Sequence, residues 1–246
     1  MRRTRSTAPR TSSGAASAPA AGYPRVELVY QYLPFDRTCE QWLNTRIEES
    51  WMREIEAKLA FFQEFWDKKA PSLLETTVSQ IGKPFRRREM VAALTLCPVS
   101  SMSTPLLINV RRFLDGPTGG KPQPMHLFSA LVFHELLHTY IPYPLPGSRL
   151  MEKYKDEATM VLTHLHLMAV MKYVYLKLRR REQLQEIIAW DSAAENPIYR
   201  RGWQIVNDIE GHRVFVDELK AFSRVGKMSD AREEAPDPDS DVALKL

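Results

Sequence analysis

Between residues 43 and 66 apolar side chains recur every three or four positions, at Leu43, Ile47, Trp51, Ile55, Leu59, Phe62 and Trp66. A stripe with that period lies along one face of an α-helix and calls for a core to cover it. Pro71 has no amide hydrogen to give and predicts a break, with a shorter helix to Ile81 before Gly82 and Pro84 mark a turn. Residues 26–33 alternate in part between apolar and polar. Residues 90–97 and 106–113 are short runs rich in apolar or β-branched side chains. These three stretches predict strands.

The second half of the chain has the helical period almost throughout. Residues 125–141 predict a helix that Pro142, Pro144, Pro146 and Gly147 bring to an end. Ser148 is placed as the N-cap of a following helix expected to run to about Arg181, and Asn196-Pro197 opens a last helical stretch to about Phe222. Strands first and helices after predict an α+β fold, with a small N-terminal β-sheet packed on a mainly helical domain.

Composition sets the limits of that domain. Of 246 residues, 44% are hydrophobic, enough for one domain with a substantial core, expected over residues 25–226. Residues 1–24 contain four arginines and no acid, and residues 227–246 are acidic and interrupted by proline. Both are expected to be disordered tails. The first of them lacks the apolar stretch of an export signal. Removing both tails leaves a weakly basic middle, so no nucleic-acid partner is expected. The arginine clusters at 86–88 and 179–181 read as solvated element ends.

The most apolar run, residues 160–176, is interrupted by Thr163, His164, His166 and Lys172, so no membrane span is expected. Cys39 and Cys97 stand far apart in sequence. They suggest no disulfide framework, and a reducing, cytoplasmic setting is the expectation, an exported form being the alternative.

The chemistry concentrates in Phe133-His134-Glu135-Leu136-Leu137-His138. Residues four apart on a helix lie about 40° apart and one turn along, so His134 and His138 point the same way and can grip one ion. Neutral imidazole is a good zinc ligand. Glu135 follows the first histidine and is placed to take a proton from a zinc-bound water. Catalytic zinc sites use three protein ligands and keep one position open. Eighteen residues separate His138 from Glu157, the expected third ligand. A chain reversed by the proline-rich turn would carry this carboxylate back toward the histidines on an antiparallel helix.

In these four residues, His134, Glu135, His138 and Glu157, the sequence resembles the gluzincin zinc metallopeptidases, which include the thermolysin-like enzymes and the zinc aminopeptidases. The resemblance covers about 25 residues. It implies a zincin-like domain in which Glu135 activates water for hydrolysis of a peptide or protein substrate. By analogy with thermolysin-like enzymes it places His212 as the downstream histidine that stabilises the oxyanion. Tyr140, Tyr143, Tyr154, Tyr199 and His164 are rival donors. The resemblance also implies that a strand at 106–113 or 91–97 holds substrate by strand addition.

The sequence departs from the pattern at two places. Asp156 stands where many members have asparagine, and Val161 stands one turn after Glu157 where an acid would orient a histidine. A zinc-dependent peptidase is therefore one reading, and a non-catalytic zinc protein the other. A third reading has no metal, with assembly through the N-terminal tail or the long helix at 40–68.

Overall fold

Strand β1 (Arg25–Tyr30) buries Val26 and Leu28 and exposes Arg25 and Glu27, the alternation of a strand with one face on a core. It pairs in parallel with β2 (Glu89–Thr95), Val26 lying opposite Met90. A parallel pair needs a crossover, and here the connection includes α1 (Arg37–Leu43) and the 33-residue α2 (Glu49–Ile81). β4 (Leu106–Asn109) continues the sheet in parallel beside β2, and the two-residue β3 (Met102–Ser103) closes it antiparallel, giving the order β1-β2-β4-β3. Gln63 of α2 accepts the amide of Leu28 (2.7 Å) and donates to the carbonyl of Val26 (3.1 Å). The computed structural model describes residues 22–194 and 196–233, with side chains, Pro34 apart, as far as Arg224.

The fold is α+β, as the pattern predicts. The expected break at Pro71 does not occur, and α2 runs through it. Pro71 is itself exposed, while Trp66, Ala70, Leu73 and Leu74 on either side are buried. Seating those side chains offsets the lost backbone hydrogen bond. Leu43 belongs to α1, which ends at Asn44 in the left-handed conformation (φ 46°).

Cys39 and Cys97, expected as separate thiols, are joined in a disulfide across 58 positions of sequence. Asp36 brings them together. Its buried carboxylate accepts both the hydroxyl of Thr95 and the amide of Leu96 (3.1 Å), as well as the Tyr30 hydroxyl (3.0 Å). These bonds seat the start of α1 against the end of β2. The ground for expecting a reducing compartment is thereby removed.

After the four-residue α3 (Asp115–Thr118), helix α4 (Met125–Tyr140) follows the prediction closely and is buried on nearly every side. It packs on α2 through Phe62 and Phe128, whose rings lie 4.8 Å apart. The helix expected from Ser148 to about Arg181 is instead two. Ser148 caps α5 (Arg149–Lys153) by accepting the amide of Met151 at 3.0 Å, but α5 stops after five residues. Residues 154–158 are non-helical, and α6 (Thr159–Lys177) starts afresh. Then come α7 (Arg181–Ser192), α8 (Pro197–Gln204), capped by Asn196, and α9 (His212–Glu233). The last stretch is thus also divided, and its helix passes position 226. Residues 1–21 and 234–246, most of the two expected tails, lie outside the described residues. No helix among the described residues is long and apolar enough to cross a membrane.

Glu218 of α9 fastens α5 in place. It accepts Ser148 Oγ (2.6 Å) and the amides of Arg149 (2.7 Å) and Leu150 (3.2 Å), and meets Nε2 of His166 at 2.7 Å. Burial opposes its charge, but His166, Ser148 and the amide of Leu150 prevail and hold the carboxyl down at about 2. A carboxylate depressed in the folded state contributes stability above its unfolded pKa of about 4.5 and loses it as pH falls toward 2. Glu218→Gln should therefore cost about 1–2 kcal/mol at neutral pH, allowing for solvent screening at this partly exposed site. The gap between parent and variant should close between pH 5 and 2. Urea unfolding across that range measures it. A gap that stays constant would show that the charge contributes nothing.

Candidate metal centre

His134 and His138 stand one turn apart on α4, their Nε2 atoms 3.2 Å from each other. The third member of the cluster comes from α6. His164 presents its ring 5.1 Å from that of His134 and 4.8 Å from that of His138, and the first two rings are 4.9 Å apart. The three imidazoles form a nearly equilateral triangle. One ring nitrogen from each lies within 4.8 Å of the others, so the three histidines can hold a metal ion.

The donor set fits such an ion. A tetrahedral centre with metal–nitrogen bonds of 2.0–2.1 Å has ligand atoms roughly 3.3 Å apart, close to the separation of the first pair. Nδ1 of His164 lies 2.6 Å from the carbonyl oxygen of Met160. A carbonyl only accepts, so Nδ1 carries the proton and Nε2 keeps its lone pair free. A metal-binding histidine needs that orienting contact. Burial lowers the pKa of all three rings, most strongly for His134, and the neighbouring imidazoles lower it further for His134 and His138. His138 is brought down to about 4. The cluster is neutral at physiological pH, as metal binding requires.

Glu135 is 5% exposed, and burial alone raises its carboxyl to about 8. Tyr199 of α8 stands over the cluster, its ring 5.1 Å from His164 and 6.0 Å from His134. Burial, then the charges of Glu135 and Asp191, push its phenol up to about 12, so it remains a hydrogen-bond donor. A buried carboxyl next to His134 in sequence and a partly buried phenol thus accompany the three imidazoles. On the other side His138, less buried than its partners, lines a small cavity with Leu137, Ile141, Tyr143, Met151 and Leu162. Tyr143, Met151 and Leu162 also line a wider groove along the proline-rich turn.

Two expected residues are elsewhere. Glu157 is outside the converging group: it precedes α6, and its Oε1 accepts Nε (3.0 Å) and Nη2 (2.5 Å) of Arg201. The break at 154–158 removes the helical turn that was to carry it to the histidines. His212 opens α9 against Tyr173, their rings 6.2 Å apart. Tyr173 is nine residues, roughly 13 Å, along α6 from His164, so His212 lies away from the histidine cluster, beside which Tyr199 stands instead.

Among the other candidates, Tyr140 donates to the carbonyl of Lys83 and Tyr154 to Glu210, while Tyr143 lines the cavity beside His138. Neither segment expected to hold substrate is a free edge, because β2 and β4 are the two interior strands. His164 was legible as a histidine in an apolar helix, where an imidazole without a partner is costly. Comparison of the chain with family models, with curated proteins and with solved structures finds no match.

Proposed function

We propose that this chain is a zinc-dependent peptidase whose metal ligands are His134, His138 and His164. The observation that carries the reading is the convergence of three neutral imidazoles beside one buried carboxyl and one partly buried phenol. Three histidines with an open fourth position are a known catalytic zinc set. Zinc held there supplies Lewis acidity, polarising a carbonyl and making a water molecule more acidic. Glu135 takes the proton of the attacking water and passes it to the leaving amine. Tyr199 donates a hydrogen bond to the oxygen on which negative charge develops. A peptide reaches the centre from the side of His138, along the groove beside the proline-rich turn. The reading includes no nucleic-acid partner.

The burial of His134 and His164, 6% and 3% exposed, favours a second reading in which the metal is structural. One experiment separates them. The chain, purified without a histidine tag, is assayed for metal and then incubated with a broad peptide library. The peptidase reading expects about one zinc per chain and cleavage that a chelator abolishes and added zinc restores. Bound zinc with no cleaved peptide would leave the structural role.

On a peptide so identified, Tyr199→Phe should lower kcat by about 10²-fold, the usual loss of one oxyanion donor, with KM within about threefold. Steady-state kinetics give the split. A rise in KM at constant kcat would make Tyr199 a binding residue only.

A further inference from the structure

We infer that the Arg201–Glu157 ion pair is a positioning device that holds Tyr199 over the three histidines. The inference rests on the peptidase reading for its catalytic consequence. The two partners lie on the elements that must stay in register. Arg201 is two residues after Tyr199 on α8, and Glu157 is seven residues before His164, in the non-helical link that leads into α6. The guanidinium gives two of its donors to one carboxylate oxygen and a third to Gln204 Oε1 (2.7 Å). Such a fork fixes direction as well as distance.

Two further contacts leave α8 little choice of place. At Gly202 a Cβ would come within 2.7 Å of Met168 Sδ, so helix α8 lies close against the middle of α6 there. Trp203 donates to Asp191 Oδ2 at 2.8 Å and ties α8 to α7. Both contacts follow Arg201 in the sequence and hold the later part of α8. Tyr199 is in the first turns, where Arg200 donates twice to the carbonyl of Ser192 on α7 (3.2 and 3.1 Å) and the ion pair joins α8 to the segment that leads into the helix of His164. The segment around Glu157 is joined to the same region a second time, through Tyr154 and Lys153, which both meet Glu210. Glu157, read from sequence as a ligand, thus acts on the donor rather than on the metal.

Four forms of the full chain test this: Arg201→Met, Tyr199→Phe, the two combined, and the exchanged pair Glu157→Arg with Arg201→Glu. Arg201→Met should keep one zinc per chain and KM within about twofold, and lose about tenfold or more in kcat, since small misplacements of a reacting group are costly. The double variant should be no slower than Tyr199→Phe alone, because the ion pair acts only through that hydroxyl. The exchanged pair should regain most of the rate. If the two losses multiply, or if Arg201→Met is as fast as the parent, the inference fails. Hydrogen exchange provides a readout free of turnover. Arg201→Met should speed exchange of the amides at 198–204 and leave those of α4 unchanged. Unchanged exchange at 198–204 overturns the inference even in an active enzyme. Faster exchange there in a chain that cleaves nothing upholds the docking role of the pair and overturns the peptidase reading alone.

Discussion

Glu135→Gln should reduce kcat on a cleaved peptide by about 10³-fold or more while leaving one metal ion bound per chain. The expected loss lies within the range for a general acid–base residue, 10²–10⁴-fold. The substitution keeps the volume and planarity of the side chain and removes only its ability to take a proton. It should not damage the fold. Burial raises the Glu135 carboxyl to about 8, so the unfolded chain gives up that proton more readily than the folded one. The contribution of this carboxyl to metal-free stability is fully present below about pH 4.5 and is lost as pH rises through 8. A neutral amide escapes that penalty, so the metal-free variant should unfold no sooner than its parent at pH 8. Metal analysis, thermal unfolding and single-turnover cleavage test the three parts. A variant that cleaves at the parental rate would exclude Glu135 as the base. One that loses its metal would make Glu135 part of the ligand shell.

The second large effect divides His164 from Glu157. His164→Ala should weaken zinc affinity by more than about 10²-fold, beyond the 10–100-fold typical of losing an orienting contact to a ligand. Glu157→Gln should leave affinity within about threefold, because that carboxylate is occupied by Arg201. Competition with a chromophoric chelator measures both. The opposite ranking would return Glu157 to the metal and remove the basis for the all-histidine centre.

These two residues also show how far the sequence could be read. The helix of His134 and His138 was legible because its ligand spacing and its apolar neighbours both follow the period of one helix, and the proline-rich turn marks its end. The strands 26–33 and 90–97 were legible from alternation and apolar runs. The choice of third ligand was not, because it depended on whether the helix begun at Ser148 is continuous. Ser148 gives a good start signal, and nothing as strong as proline or glycine falls between 149 and 158. What ends α5 is long-range: Glu218 holds its first turn, and Glu210 and Arg201 take up Lys153, Tyr154 and Glu157. Those partners are more than forty positions away. Pro71 shows the same limit in reverse, since a strong local breaker was overridden by the burial of Trp66, Ala70, Leu73 and Leu74. The disulfide, too, depends on Asp36 reaching Thr95 and Leu96, contacts that no spacing of cysteines announces.

The amide of Gln63 has a consequence for how this molecule behaves in a crowded solution. A boundary strand normally offers a row of unsatisfied backbone groups that can template growth of the sheet into another molecule. Here the outward groups of Val26 and Leu28 are already taken by a side chain of the same molecule. The opposite boundary is only two residues long. Fibril-like stacking is thereby discouraged at both ends, and Gln63→Ala should bring faster thioflavin-positive aggregation at concentrations where the parent stays clear.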